Sequence, residues 1–362
     1  MRKSVITRSA VAMTTGLVVL SIASGAGPAI VVGQPPAVAE AEEVTADAPE
    51  PVALAEGCAW SIQNLPSPAG EGLTQAIGAD GRGRIVGEGD KSGVVTWERG
   101  VLTVVGHPNG LTSTDVKDVN AAGTIVGTAL DANARAHRAY SLKAGKFTVL
   151  PVPAGFTDSG VTAINGRGDI LGSVSDSVSH SAKAVVWRAG QPVTLGIDER
   201  ATPEDIDDDG TILLNRESGP ALWNDGAERP LDLPEGLNGV RATAIRGGKV
   251  VGYGLPQEFP ARSSGDEFVP QAYAQALIWV DGKPGELPSG TTASEINANG
   301  LVVGNAGQGR EAVKHPVVWT DTAAEAAELG LPDGGNGYVN GIGDENTATG
   351  AVDTKPVSWQ CR

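Results

Sequence analysis

The sequence contains few of the residues on which metal centres and nucleophilic active sites depend. Its 362 residues include only two cysteines and four histidines, and aromatic residues make up 4% of the chain. The histidines fall at positions unrelated to one another: His107, His137, His180 and His315. Because histidine and cysteine ligands normally recur at short, fixed spacings, a metal centre built from these side chains is not expected.

Motifs of common enzyme classes are also absent. The sequence has no G-x-S-x-G, H-E-x-x-H or C-x-x-C motif and no glycine-rich phosphate loop. Such patterns position a nucleophile, a zinc ion, a redox pair or a phosphate group. A non-catalytic protein is therefore favoured. Distant residues can still meet in a folded repeat protein, so an extracellular lyase or hydrolase is retained as an alternative.

Positive charge is scarce as well. There are 27 Lys and Arg residues against 43 Asp and Glu residues, which gives a formal net charge of −16 at pH 7. Nucleic-acid-binding proteins need a basic footprint, and surfaces drawn to anionic lipid need basic clusters. This balance argues against nucleic acid and against a membrane surface, and leaves a protein or a glycan as the expected partner.

Uninterrupted stretches of helix-forming residues are the last notable absence. The chain contains 50 glycines and 23 prolines. A fully helical domain would not tolerate so many residues that disfavour the helix interior. Short strands joined by many turns are compatible with this composition.

What the chain does contain is a repeated pattern, I-N-x-x-G-x-I-V-G. Its clearest copy is 164–172, and six others, some looser, begin at Ala79, Val119, Ile206, Ile245, Ile296 and Ile342. Asn or Asp with Gly three residues later is typical of a turn, because the Asx side chain bonds its own backbone and Gly adopts positive φ without penalty. Each copy predicts a β-hairpin, and we interpret the Asn as a turn residue rather than a catalytic one.

Each hairpin is followed by a strand that ends in an aromatic or aliphatic residue. These end residues are Trp97, Leu142, Trp187, Trp223, Trp279, Trp319 and Trp359. A fourth short strand, such as 147–150, follows in most repeats. Four strands in a unit of about 40–45 residues is the period of a β-propeller blade. The sequence therefore predicts an all-β, seven-bladed β-propeller over residues 58–362.

The segment before the tryptophan resembles the repeat of the bacterial extracellular HAF-repeat proteins, which are named for a His-Ala-Phe run at this position. The matching segments are 315–319, 275–279 and 138–140. The resemblance covers the chain after about residue 58. It implies an extracellular, propeller-like repeat protein without an assigned activity.

The two ends of the repeat region complement each other. The last repeat stops at Arg362 without a fourth strand, and residues 62–66 resemble that missing strand. We expect this N-terminal strand to complete the last blade and close the ring. Cys58 and Cys361 lie at the junction, and in an exported protein they are expected to form a disulfide. The chain-entropy model gives about 5–6 kcal/mol for closing so long a loop.

The N-terminus has the features of a secretory signal peptide. Arg2, Lys3 and Arg8 flank the start of an apolar run over residues 10–24, and cleavage fits after either Ala26 or Ala39. An uncleaved anchor is the alternative. We take residues 1–39 as the signal peptide and residues 40–57, rich in Ala, Glu and Pro, as a disordered spacer. The protein is therefore expected to be extracellular.

One acidic segment resembles the opening of a calcium loop. Residues 205–210 follow the pattern D-x-D-x-D-G, in which Asp205, Asp207 and Asp209 would supply the carboxylates. The position at which an EF-hand carries its bidentate Glu is Arg216. Calcium is therefore only a weak expectation, and no other cofactor is expected.

One insertion departs from the repeat more than any other. Its segment from Gly252 to Trp279 is far longer than the matching segment in the other repeats, and it joins the second and third strands of blade five. Such connections and the blade-to-blade connections share one face of a propeller, here called the variable face; the short N-x-x-G and W-x-x-G turns form the opposite turn face. Aromatic side chains are enriched at binding hot spots, and Arg262 is suited to the polar rim of such a site. The candidate partner-binding residues are Tyr253, Phe259, Arg262, Phe268 and Tyr273.

Together these features predict a secreted, monomeric propeller that acts as a non-catalytic binding or scaffold module at the cell exterior. The enzyme alternative requires His, Arg and acidic residues to converge at the channel mouth on the variable face. A structural envelope component, which would self-associate and lack a pocket, is a third alternative. An idle surface loop is the competing interpretation of the blade-five insertion.

Overall fold

The structure, a computed structural model, describes residues 59–257, 273–307, 315–320, 325–332 and 335–361. In these ranges the regular elements are β-strands, and they form seven four-stranded antiparallel sheets. The predicted all-β, seven-bladed β-propeller is confirmed. None of the described segments forms a helix long and apolar enough to cross a membrane.

Twenty-eight strands make up the ring. In chain order they are β1 (Trp60–Asn64), β2 (Thr74–Ala79), β3 (Arg84–Gly89), β4 (Gly93–Glu98), β5 (Val101–Gly106), β6 (Thr112–Val119), β7 (Ile125–Asp131), β8 (Ala136–Lys143), β9 (Lys146–Val149), β10 (Asp158–Ile164), β11 (Ile170–Asp176), β12 (Ser181–Arg188), β13 (Gln191–Thr194), β14 (Thr202–Ile206), β15 (Ile212–Arg216), β16 (Gly219–Asn224), β17 (Ala227–Pro230), β18 (Leu237–Arg246), β19 (Lys249–Pro256), β20 (Gln275–Val280), β21 (Lys283–Glu286), β22 (Gly290–Ile296), β23 (Val302–Ala306), β24 (His315–Trp319), β25 (Ala327–Glu328), β26 (Gly337–Ile342), β27 (Thr347–Val352) and β28 (Lys355–Cys361).

The N-terminal strand closes the ring as predicted. Blades one to six are consecutive groups of four strands from β2 to β25, whereas the seventh sheet has the order β1-β28-β27-β26. Strand β1 pairs antiparallel with β28 in a register that runs from Trp60 opposite Cys361 to Asn64 opposite Val357. Strand β1 therefore supplies the outer strand of the last sheet, and the seventh blade has four strands like the other six.

The Asn side chains of the repeated pattern serve the turns, as the sequence predicts. Asn120 Oδ1 accepts hydrogen bonds from the backbone N–H groups of Ala122 at 3.1 Å and Thr124 at 3.0 Å. Its amide Nδ2 then donates to the carbonyl of Asn165, the equivalent residue of the next blade, at 3.0 Å. The repeated Asn therefore stabilises its own hairpin and also links neighbouring blades.

Tryptophan fills the core between the sheets of most blades. The five fully buried tryptophans are Trp97, Trp187, Trp279, Trp319 and Trp359. The ring lies against a glycine of the second strand: a Cβ on Gly172 would come within 2.9 Å of the ring of Trp187 and within 2.0 Å of the carbonyl oxygen of Gly160. Glycine is required there because the backbone and the indole leave no room for a side chain.

The second blade fills the same space in a different way. Leu142 occupies the tryptophan position in register, opposite Ile125, as predicted. The volume of the missing indole is taken by Tyr140, whose hydroxyl would lie 2.5 Å from a Cβ on Gly127. Tyr140 is fully buried and packs edge-on against Phe147 with ring centroids 5.5 Å apart. A residue two positions upstream thus compensates for the loss of tryptophan.

Candidate functional site in the central channel

The innermost strand of every blade faces a central channel. These strands are β2, β6, β10, β14, β18, β22 and β26. A cavity of about 360 Å³ occupies the channel, and its lining reaches turn residues such as Asp80, Asn120 and Asp344. The cavity therefore opens toward the turn face rather than toward the variable face.

Every inner strand carries a one-residue β-bulge at the same position. The bulged residues are Ile77, Lys117, Thr162, Glu204, Thr243, Ser294 and Asn340. The residues that follow them are Gly78, Asp118, Ala163, Asp205, Ala244, Glu295 and Gly341. From blade one to blade seven a small residue thus alternates with an acidic one, and the two glycines, Gly341 and Gly78, are neighbours where the ring closes.

The three acidic residues, Asp118, Asp205 and Glu295, are called the channel triad here. Asp118 accepts hydrogen bonds from the N–H of Val119 at 2.6 Å and from Ile164 of the next blade at 2.9 Å. The inner edge of each blade is a free strand edge, so its N–H groups need acceptors. The Asp118 carboxylate meets this need in two blades at once.

Asp205 repeats the arrangement of Asp118 two blades further on. Its carboxylate accepts from the N–H of Ile206 at 2.7 Å and from Ile245 of the next blade at 2.8 Å. Glu295 accepts from the N–H of Ile296 at 3.0 Å. Two of the three triad carboxylates therefore connect neighbouring inner strands.

Burial dominates the electrostatics of the channel triad. It raises the pKa of Asp118 to about 6 and, together with the nearby Asp118 charge, the pKa of Asp205 to about 7. Burial and the charges of the other two acids raise the pKa of Glu295 well above its ordinary value. Carboxyl groups in this environment hold protons at pH values at which exposed acids are ionised.

Arg246 lies at the turn-face mouth of the channel. It donates to Asp344 of blade seven at 2.9 Å, and it lies 3.7 Å from Asp208 of blade four. Burial acts to lower the pKa of Arg246, and the carboxylates of Asp344 and Asp208 raise it above its ordinary value. A permanent positive charge therefore spans the mouth above the triad.

From the sequence, Asp205 was expected only as a weak calcium ligand, and Asp118, Glu295 and Arg246 were not predicted as site residues. The signal was present, since Asp118, Asp205 and Glu295 each precede the repeated Asx residue by two positions in alternate repeats. The convergence of Arg and acidic residues required by the enzyme alternative is found near the turn face, not at the predicted variable-face mouth. No histidine of the described chain lines the cavity.

The three residues of the candidate calcium loop point in different directions. Asp205 faces the channel, Asp207 accepts from Gly247 at 3.0 Å and Gly248 at 2.8 Å, and Asp209 accepts from the N–H of Thr211 at 2.7 Å. Within the described ranges no three His, Cys, Asp or Glu side chains form a group suited to a metal ion. Calcium binding stays a prediction.

The blade-five insertion joins β19 and β20, the second and third strands of the blade, as predicted. Tyr253 lies in β19 opposite Ala276 of β20, and both Tyr253 and Tyr273 are half-buried. Phe259, Arg262 and Phe268 lie outside the described residues. The two tyrosines therefore mark the base of the insertion on the blade.

The position of one of the two cysteines is known. Cys361 ends β28 directly opposite Trp60 of β1. Cys58 lies two residues before Trp60, just outside the described residues. The Cys58–Cys361 disulfide therefore stays a prediction.

Comparison with known proteins bears on the fold alone. No protein-family model matches the chain, and no curated protein is similar to it. A streptogramin B lyase structure is similar with a TM-score of 0.54 and 14% identity, over 84% of this chain and 98% of that one. The β-propeller domain of the Trilobed protease from Pyrococcus furiosus gives a TM-score of 0.56 and 10% identity, over 80% and 94%. The chain is a β-propeller.

A third similar structure is a WD40 domain. The WD40 β-propeller domain of Doa1 has a TM-score of 0.50 and 11% identity, over 83% of this chain and 97% of that one. Identities this low establish the shared fold only. The Pyrococcus domain is described as having an open velcro topology, whereas here β1 completes the sheet of the last blade.

Proposed function

We propose that the protein is a secreted, non-catalytic binding or scaffold module that contacts its partner through the variable face. The observation that carries the proposal is the position of the blade-five insertion. The insertion leaves the regular ring after Gln257 and rejoins it at Tyr273. The carboxylates of Asp118 and Asp205 in the channel, by contrast, already accept hydrogen bonds from backbone N–H groups. Long loops on a rigid scaffold are common carriers of binding function.

The partner is an extracellular protein or a glycan. The net charge of −16 argues against nucleic acid and anionic membranes. The aromatic side chains Phe259 and Phe268 are suited to contact apolar or sugar surfaces, and Arg262 is suited to a polar rim. We also propose that the protein is a monomer, that it is related to the HAF-repeat proteins and that Cys58 and Cys361 form a disulfide.

Secretion is tested by the N-terminal sequence of protein recovered from culture medium. The proposal expects the mature chain to begin at Gly27 or at Glu40. Cell-retained protein that still begins at Met1 would contradict it.

The binding proposal is tested by a double variant, Phe259→Ala with Phe268→Ala. An array of glycans and extracellular proteins first identifies what the wild-type chain captures. The variant is expected to lose at least about tenfold in affinity, since hot-spot aromatics contribute about 2 kcal/mol or more. Its melting temperature should not change. The matched control is Val178→Ala, an exposed apolar residue on the corresponding loop of blade three, which should retain capture.

The extracellular lyase or hydrolase remains the alternative, and one observation favours it. The triad carboxyls have raised pKa values beside a cavity and near Arg246, a setting that suits a general acid. The Phe double variant separates the two functions, because activity at the turn-face channel would survive it. A structural envelope component would instead self-associate, which size-exclusion chromatography with light scattering would detect.

A further inference from the structure

We propose that the channel triad makes the stability of the ring depend on pH. The folded ring binds protons at Asp118, Asp205 and Glu295, and it resists unfolding better in mildly acidic than in alkaline medium. The first support is geometric. Asp118 and Asp205 each bond the inner strands of two neighbouring blades, so the charge state of these carboxyls acts directly on blade-to-blade contacts. All three carboxyls line one cavity.

The second support is the charge balance around the triad. The other charged groups that line the cavity are Asp80, Lys117, Glu204, Arg246 and Asp344. Strand β10 contributes only neutral side chains such as Thr162 and Ala163. Lys117 is paired with Asp115 at 2.7 Å, and Arg246 is paired with Asp344 at the mouth. Arg246 still lowers the pKa of Asp118 and of Glu295, but burial has the larger effect on both carboxyls. Three ionised triad carboxylates would also repel one another.

Protonation relieves this repulsion but weakens one of the two N–H bonds that Asp118 and Asp205 each accept, because both oxygens of each carboxylate serve as acceptors. The raised pKa values mean that burial outweighs these bonds. A neutral carboxyl keeps a carbonyl oxygen that accepts an N–H bond, and its hydroxyl can donate. Ionisation of all three carboxyls instead places three like charges around one cavity. The protonated ring is therefore the more stable form.

The direction of the pH dependence follows from the raised pKa values. The ordinary pKa values are 3.8 for Asp and 4.5 for Glu, and in the fold they are about 6 for Asp118, about 7 for Asp205 and raised well above the ordinary value for Glu295. At pH values between the ordinary and the raised pKa values, the folded state binds more protons than the unfolded state. The stabilisation is fully present below the pKa values of the unfolded state, and it is lost as the pH rises through the pKa values of the folded state.

The test is thermal unfolding of the secreted chain as a function of pH. The wild type is expected to lose on the order of 5 °C in melting temperature between about pH 6 and about pH 8.5. The triple variant Asp118→Asn, Asp205→Asn, Glu295→Gln should lose most of this slope. The control is Glu217→Gln, which removes the charge of an exposed residue on the variable face and should keep the wild-type slope. A flat or rising wild-type curve, or a triple variant with the wild-type slope, would overturn the proposal.

A second measurement covers the case in which the triple variant does not fold. Infrared difference spectroscopy of the wild type should show a protonated carboxyl band near neutral pH that disappears as the pH rises through about 8. Each single variant that folds should weaken this band. Absence of the band at pH 6 in the wild type would also overturn the proposal.

Discussion

The indole N–H of Trp359 donates a 2.9 Å hydrogen bond to the backbone carbonyl of Gly330, which follows the outer strand of the preceding blade. Four other interfaces repeat this contact: Trp97 with Pro66, Trp187 with Pro151, Trp279 with Asp232, and Trp319 with Pro288. The tryptophan therefore does more than fill the core of its own blade. It also connects that blade to its neighbour.

Replacing this indole should cost stability through both volume and the lost bond. We expect Trp359→Phe to lower the free energy of unfolding by about 2–3 kcal/mol. The control is Trp223→Phe, because Trp223 makes no such bond among the contacts of the described chain and is slightly exposed. Its loss should be about 1 kcal/mol smaller. Urea unfolding of both variants checks the difference, and equal losses would mean that the inter-blade bond contributes nothing.

The hydroxyl of Tyr140 is buried without a hydrogen-bond partner among the described residues. Burial also raises the pKa of this phenol. Removing an unsatisfied polar atom should be neutral or stabilising, so we expect Tyr140→Phe to raise the free energy of unfolding by up to about 1 kcal/mol. Tyr338→Phe, at a half-exposed position, should have no effect. A clear loss of stability in Tyr140→Phe would indicate a bridging water or another partner for the hydroxyl.

Gly172 tests the close approach of the second strand to the tryptophan. A Cβ at this position would meet backbone at 2.0 Å, so Gly172→Ala should destabilise the protein by about 3 kcal/mol or more and reduce its soluble yield. A Cβ on Gly196 would meet no atom within 4 Å, so Gly196→Ala should be tolerated. Denaturant midpoints of the two variants provide the comparison. Similar midpoints would show that the blade repacks more easily than its geometry suggests.

The Cys58–Cys361 disulfide is expected to restrain the closing strand. Non-reducing peptide mass spectrometry should find the two cysteines linked, and reduction should lower the melting temperature without abolishing the fold, because β1 stays paired with β28. The variant Cys58→Ser with Cys361→Ser should melt at the temperature of the reduced wild type. Unlinked cysteines in secreted, oxidised material would contradict the expectation.

The repeated pattern was sufficient to predict the hairpins and the blade count, and the missing fourth strand of the last repeat predicted the closing strand. Asn120 and Gly123, for example, form a local turn, so their spacing alone carries the information. The compensation of Leu142 by Tyr140 was not predictable in the same way, since it depends on which side chain reaches Gly127 in three dimensions. Local signals were strong because they recur seven times.

The channel triad shows why the candidate site was harder to predict. Asp118, Asp205 and Glu295 are three acids among 43, and they lie far apart in the sequence. Their shared position after a bulge acquires meaning only when the inner strands are arranged around one channel. The burial that raises their pKa values is a property of the closed ring and not of any single repeat.

We propose that the ring is a scaffold and that the blade-five insertion carries the binding function. The most direct test replaces residues 258–272 with a short Gly-Ser linker and leaves β19 and β20 intact. Capture of the array-identified partner is then compared with that of the wild type, alongside thermal unfolding. Long surface insertions contribute little to the stability of a scaffold, so the melting temperature should stay within a few degrees while capture is lost. Undiminished capture by a variant that melts like the wild type would contradict the claim.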